Sequence, residues 1–306
     1  MSTSWVAASV RARALARRRV GAAGARSLAT LPLPEATAAL ADTPYHHDVR
    51  ASDDLAAAQR GTAAAVLWHL RVLGGWVPRS GTPALRALAA GFEVANVDEH
   101  MRSLRGEPTE PAFRLGSFAT AWPRLRHTTS LRDLRDELTT SAWGDPGGDG
   151  VRTIGLALRT AWAGRVWRAV PQARRWASGA AALLVLRERW VADRRLPEVV
   201  VDNLEPVLGV EWISASSMAA SAQAMPAEAT WVVADADGPD ELWRAEATWW
   251  RRVESDGFAM VRGSSFGLAP VVGSLGVLAA DAWRVRAALE VAATDGAVME
   301  LFDAVA

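Results

Sequence analysis

A long-range repeat governs what this chain can become. The segment Leu33-Pro34-Glu35-Ala36-Thr37-Ala38-Ala39-Leu40-Ala41-Asp42-Thr43-Pro44-Tyr45 returns 98 residues later as Leu131-Arg132-Asp133-Leu134-Arg135-Asp136-Glu137-Leu138-Thr139-Thr140-Ser141-Ala142-Trp143. Leucine, acid, leucine, hydroxyl and aromatic recur in register. The same offset of 98 carries Leu85, Leu88 and Phe92 onto Leu183, Leu186 and Trp190 without a gap. A weaker third copy opens at Glu228-Ala229-Thr230, which repeats Glu35-Ala36-Thr37 at an offset of 193, and Leu275 and Leu278 repeat Leu85 and Leu88 at an offset of 190. Chance matching in an Ala- and Leu-rich chain competes with this third copy; the gapless first pair is harder to dismiss. The period is well beyond the roughly 34 to 47 residues of helical solenoids, so each copy reads as a small helical module. The 306 residues then divide into modules at 1–106, 107–208 and 209–306.

Composition narrows the chemistry. Half of the residues are apolar, enough for a sizeable core, and there is no cysteine, which removes disulfides and thiolate metal sites. The 34 basic residues balance 34 acids, so no global charge argues for DNA or anionic lipid. All the basic residues are arginine, which excludes Schiff-base and Walker-type lysine chemistry. The longest uncharged apolar stretch, residues 266–280, falls short of the roughly twenty residues of a membrane span and contains Pro270. The opening segment with Arg11, Arg13, Arg17, Arg18 and Arg19 has no apolar run after its basic residues, unlike a secretory signal, although its lack of acids is compatible with an organellar transit peptide.

Local signals are helical. Ser130 with Asp133 three residues on is a capping-box arrangement before Leu131, Leu134 and Leu138, whose spacing puts them on one helix face. Ser52 precedes two acids, Asp53 and Asp54, in an expected first turn, and Gly74-Gly75 stops that helix. Asp98 and Arg102 are spaced as an exposed i,i+4 pair. Val199-Val200-Val201 and Trp231-Val232-Val233 are the only strand-like runs, and both are short, so the fold class is all-α. Loops are expected at 106–111, at 144–150 as a mobile tip, and from Leu196 to Pro206.

No constellation reads as catalytic. His46-His47-Asp48 lacks a third ligand at fixed spacing and reads as a polar loop, while Glu93, Glu99 and His100 match no acid–base motif and read as an exposed helix face. The 15 tryptophans, with Trp162, Trp167, Trp176 and the run Trp249-Trp250-Arg251-Arg252, suit a core with arginine stacked at its rim; a single-strand nucleic-acid surface is the competing reading. No cofactor is called for.

Four segments together resemble the funnel-shaped central-stalk component of the V/A-type (vacuolar and archaeal) rotary ATPases, a family with an equivalent in the eukaryotic vacuolar enzyme. They are the opening helix with Arg11 and Arg13; the element ending Thr43-Pro44-Tyr45; the helix Glu93-Val94-Ala95-Asn96-Val97 with Arg102 and Gly106 and then Leu115-Gly116; and Phe266-Gly267-Leu268-Ala269-Pro270 followed by Asp281 and Arg286. Ala269 departs from the family's usual glutamate and Ser274 from its usual tyrosine, which makes this a divergent member.

The resemblance implies three similar helical modules in a pseudo-threefold, funnel-like arrangement. It implies a non-catalytic rotor part, peripheral on the cytoplasmic face of the membrane, joining the proteolipid ring to the central shaft and transmitting torque for ion transport or ATP synthesis. No nucleic acid and no membrane span enter that role. Arg102, Arg105, Asp281 and Arg286 are then the candidate interface residues, since charged side chains suit contacts with ring loops or shaft. Arg286 capping its own helix, and Asp281 pairing with Arg284, are the competing local readings. Arg13, Thr43, Pro44, Tyr45, Asn96, Gly106, Gly267 and Pro270 are the motif residues expected to be structural, Asn96 as a buried amide and Pro270 as a helix-start proline. A free-standing helical adaptor that keeps the fold without the ATPase is the alternative.

Overall fold

The computed structural model describes residues 3–236, 238–294, 299 and 302. Among the described residues all regular structure is helical. The elements are α1 (Thr3–Ala16), α2 (Gly21–Ala29), α3 (Leu33–Ala41), α4 (Leu55–Gly74), α5 (Thr82–Leu104), α6 (Trp122–Leu125), α7 (Leu131–Thr139), α8 (Val151–Ala169), α9 (Arg174–Leu186), α10 (Glu198–Leu208), α11 (Met218–Gln223), α12 (Ala227–Thr230), α13 (Leu242–Arg262) and α14 (Leu268–Ala293), joined by short tight turns. The expected module boundaries at 106 and 208 fall in the loop after α5 and at the last residue of α10. The last residues of the expected third module lie outside the described residues.

The chain forms two compact units, the first made of residues 1–82 and 250–306 and the second of 83–249. In the first, α14 is the core element. It is apolar on nearly every side, so it is covered all round: α1, α2, α3 and α4 all pack on it, and Val271, Val272, Val277, Val285, Ala288 and Leu289 are fully buried. Among the described residues it is the one helix long and apolar enough to cross a membrane, yet 78% of that stretch is buried within the protein, as for a core helix. A Cβ at Gly257 would stand 2.8 Å from the Gly273 carbonyl oxygen, and one at Gly273 would stand 2.6 Å from that of Gly257. The end of α13 and the start of α14 therefore meet backbone to backbone.

The second unit has two cores. Val97, Leu125, Leu134, Leu138 and Ile154 join α5, α6, α7 and α8, while Leu186, Val200, Leu204, Leu208 and Trp212 join α9 and α10 with the turns after them. Tryptophans seat on glycines here. The Trp162 ring lies where a Cβ on Gly91 would be, 2.5 Å away, and Trp231 lies likewise against Gly179 at 2.9 Å. Arginine caps ring faces at the rim, with Arg174 over Trp167 at 4.9 Å and Arg165 over Trp143 at 3.8 Å.

The repeat is visible in local structure. α3 and α7 have bounds that differ by the sequence offset of 98. Thr43 Oγ1 donates to the Leu40 carbonyl at 2.6 Å and accepts from the Tyr45 amide at 3.2 Å; Ser141 Oγ does the same with Leu138 at 2.7 Å and Trp143 at 3.0 Å. The third copy keeps a fully buried alanine, Ala229 for Ala36, in a single turn of helix.

Several local readings change. Ser130 does cap α7, accepting from the Asp133 amide at 3.1 Å. At α4, however, Asp54 is the cap, accepting from the Ala57 amide at 2.9 Å, because its backbone is still extended where the helix starts. Asp98 pairs with Arg159 at 2.7 Å and not with Arg102, since the helix packed beside it offers a bidentate guanidinium. The expected loop 196–206 is mostly α10, which holds Val199, Val200 and Val201 and tolerates Pro206 near its end. The tip at 144–150 is ordered by a two-pronged Arg135–Asp145 pair, with Asp145 also accepting from the Gly147 amide.

Candidate functional site

The motif residues of the first unit converge on α14. Asp281 is fully buried, and its carboxylate accepts the Val20 amide at 2.9 Å, the Gly21 amide at 2.6 Å and the Tyr45 hydroxyl at 2.9 Å. Those amides open α2, where the first N–H groups of a helix have no internal acceptor and the helix dipole favours an anion. Gly21 has φ of +77°, a conformation that favours glycine. Tyr45 is brought to Asp281 by the turn that Pro44 begins and Thr43 caps. Burial, then the Asp281 charge, hold the Tyr45 phenol well above its ordinary value.

Around this clamp the charges pair internally. Arg284, 4% exposed, forks onto Glu254 at 3.2 and 2.7 Å, so the local pairing of Asp281 with Arg284 does not form. Arg13 donates to the carbonyls of Val261 at 3.0 Å, Gly263 at 2.7 Å and Ser265 at 2.8 Å, and lies over the Phe266 ring. Ser9 Oγ accepts the Gly267 amide at 3.1 Å. Arg13, Gly267 and the buried Pro270 thus fix the turn into α14 against α1.

His69 stands beside Tyr45, 4% exposed, with Nδ1 lacking a hydrogen-bond partner. Burial, with Arg18 and His47 adding to it, lowers its pKa to about 4. The crevice lined by Arg18, Pro44, Tyr45, Val66, His69 and Leu278 is too narrow to admit a water molecule.

The second unit holds an equivalent clamp that the sequence does not reveal. Glu93, expected on an exposed face, is fully buried on α5 and accepts the amides of Thr120 at 3.1 Å and Ala121 at 2.7 Å, with the Trp122 amide and the Thr120 hydroxyl closing the set. The charge is tolerated because four donors at the opening of α6 replace its water. One turn on, Asn96 clasps Phe113, accepting from its amide at 2.6 Å and donating to its carbonyl at 3.0 Å, in agreement with the expected buried amide. The one signal for Glu93 in the sequence is an acid on an otherwise apolar stripe, with Val94 and Val97 buried beside it.

The candidate interface residues separate into three groups. Asp281 lies inside the core, so it is an internal clamp and not an exposed contact. Arg105 is exposed and Arg102 half-buried, and they share Glu107, at 2.7 and 3.5 Å, while Arg102 also meets Glu99 at 3.4 Å. Gly106, with φ of +73°, ends α5 beside them. Arg286 is exposed and makes no ion pair among the described residues. His46 lies against His47, which stacks on Trp68, and no group of three metal-ligating side chains occurs among the described residues.

What defines the site is a pair of acid clamps, each holding the opening of a helix from a neighbouring core helix. Its chemistry is positional: the carboxylates are saturated by internal donors. Comparison with protein-family models and with curated proteins gives no match to this chain.

Proposed function

We propose that this chain is the central-stalk coupling component of a V/A-type rotary ATPase, a non-catalytic rotor part between the proteolipid ring and the central shaft on the cytoplasmic face of the membrane. The observation that carries the reading is the recurrence of one module plan. The turns Thr43–Tyr45 after α3 and Ser141–Trp143 after α7 share one hydroxyl cap and end on an aromatic, and a buried acid holds the opening of the helix before α3 and before α7, Asp281 at α2 and Glu93 at α6. The resemblance in sequence calls for three such modules in a pseudo-threefold funnel. Backbone contact at Gly257 and Gly273, and tryptophans seated on glycine, suit a part that must transmit torque without winding up. Of the four candidate interface residues, Arg286 alone is exposed without an ion pair among the described residues, which suits it to an acidic partner loop.

A second reading, a free-standing helical adaptor, is favoured by two observations. Arg102 and Arg105 are already engaged with Glu107 and Glu99. Ala269 in place of the family's glutamate leans the same way.

Affinity purification of the tagged chain from solubilised membranes of its host tests the proposal. Co-purification of a proteolipid, a coiled-coil shaft protein and nucleotide-dependent ATPase activity is expected. Recovery with unrelated soluble proteins would leave the adaptor.

A further inference from the structure

The outward face of α1 is not explained by the clamps or by the rotor reading. Ala8, Ser9, Ala12, Leu15 and Ala16 turn inward, leaving Val6, Val10, Ala14 and Arg17 exposed at helical spacing along the other side. Val10 is 57% exposed and Val6 38%, one turn apart on the same side of the helix. The Arg11 guanidinium lies 5.6 Å above the ring of Trp76, itself 47% exposed, which brings the indole beside the turn of α1 that carries Val10. The exposed arginines Arg11, Arg17, Arg18 and Arg79 make no ion pair among the described residues. The first 34 residues contain six arginines and no acid.

We propose that this face binds an anionic lipid surface, with Val6, Val10 and Trp76 at the level of the headgroups and Arg11, Arg17 and Arg18 on lipid phosphates. Charge complementarity identifies the occupant. Arg11, Arg17 and Arg18 are exposed on this side without a carboxylate partner among the described residues, while Arg19 turns back onto the Phe258 ring, so an extended anionic surface suits the three that remain. An exposed tryptophan set among arginines and small apolar side chains has the composition of the lipid–water boundary. The attraction is shallow and electrostatic, reversible and weakened by salt. It does not depend on the rotor reading, because the protein needs no other chain to make it.

The test is co-sedimentation of the full chain with vesicles of phosphatidylglycerol and phosphatidylcholine, against phosphatidylcholine alone, over a salt series. The chain is expected to bind only the anionic vesicles and to be released as salt rises. Neutralising Arg17→Gln and Arg18→Gln together is expected to weaken binding about thirtyfold, at about fivefold per arginine. The triple reversal Arg11→Glu, Arg17→Glu and Arg18→Glu is expected to abolish it with the circular dichroism unchanged. Reversing Arg124→Glu and Arg132→Glu in the second unit is expected to leave binding intact. Equal binding to both vesicle types, binding indifferent to the α1 arginines, or no binding at all overturns the proposal. If vesicles are ignored while polyglutamate binds with the same arginine dependence, the face docks an acidic protein and the lipid proposal fails. None of these outcomes bears on co-purification with an ATPase.

Discussion

At Asp281 a single carboxylate satisfies three donors that have no other acceptor, so its removal is costly. Asp281→Ala strands two amides and a hydroxyl in the core and is expected to destabilise the first unit by at least about 3 kcal/mol. Tyr45→Phe, which loses one bond to a charged acceptor, is expected to cost about 1.5–3 kcal/mol, both read as denaturant midpoints. Tyr45 is the only tyrosine in the chain, so phenolate absorbance reports on it alone. Its pKa is raised in the fold, so the folded state keeps the proton that the unfolded chain gives up above pH 10. Stability is then fully present below pH 10 and falls as pH rises beyond it, and phenolate is expected to form only as the unit unfolds. Phenolate titrating near pH 10 in a chain that is still folded would contradict the clamp. His69 runs the other way. With a folded pKa of about 4, it takes up its proton in the unfolded chain first, so its contribution is present above pH 6.5 and is lost as pH falls toward 4. His69→Leu is expected to flatten that acid limb by up to about 1.4 kcal/mol per pH unit.

Helices in this protein are set at their ends and at their closest crossings. Gly273→Ala puts a methyl group against the Gly257 carbonyl and is expected to cost about 1–3 kcal/mol, because backbone cannot yield as a side chain can. Gly91→Ala presses on the Trp162 ring, whose Nε1 donates to the Ala87 carbonyl at 2.9 Å and so cannot swing away freely; a similar loss in thermal stability is expected. The start of α7 is legible in sequence because its cap, its acid and its leucines lie within nine residues of one another. The Thr43-Tyr45 and Ser141-Trp143 turns are legible as a repeat for the same reason, since each hydroxyl acts two and three residues away. Glu93 is legible only as an acid on an apolar stripe, because the donors that clamp it are 27 to 29 residues on. Asp98 misleads in the same way: its partner Arg159 is 61 residues away, and packing overrides the nearer candidate at i,i+4. α10 is missed because Pro197 precedes it and Pro206 lies within its last turn, and proline reads as a breaker before it reads as a helix start.

On the scale of the whole molecule, each compact unit carries its own acid clamp, so damage to one clamp is expected to stay within its unit. Hydrogen exchange should show Asp281→Ala loosening α2, α3 and α14, and Glu93→Ala loosening α5, α6 and α7. Uniform loosening by either substitution would contradict two separately organised units. The all-α class is within reach of the sequence, because helical periodicity and composition are properties of long stretches. The division at residues 82 and 249 is not, because the first unit is built from both ends of the chain. The proposed coupling role rests at this scale on Arg286, which is exposed and makes no ion pair among the described residues. ATP-driven ion uptake by membrane vesicles from a host deleted for this chain tests that most directly. The account predicts that uptake is lost, that the wild-type chain restores it, and that Arg286→Glu restores it poorly while folding normally. Uptake that persists undiminished without the chain would contradict the coupling role.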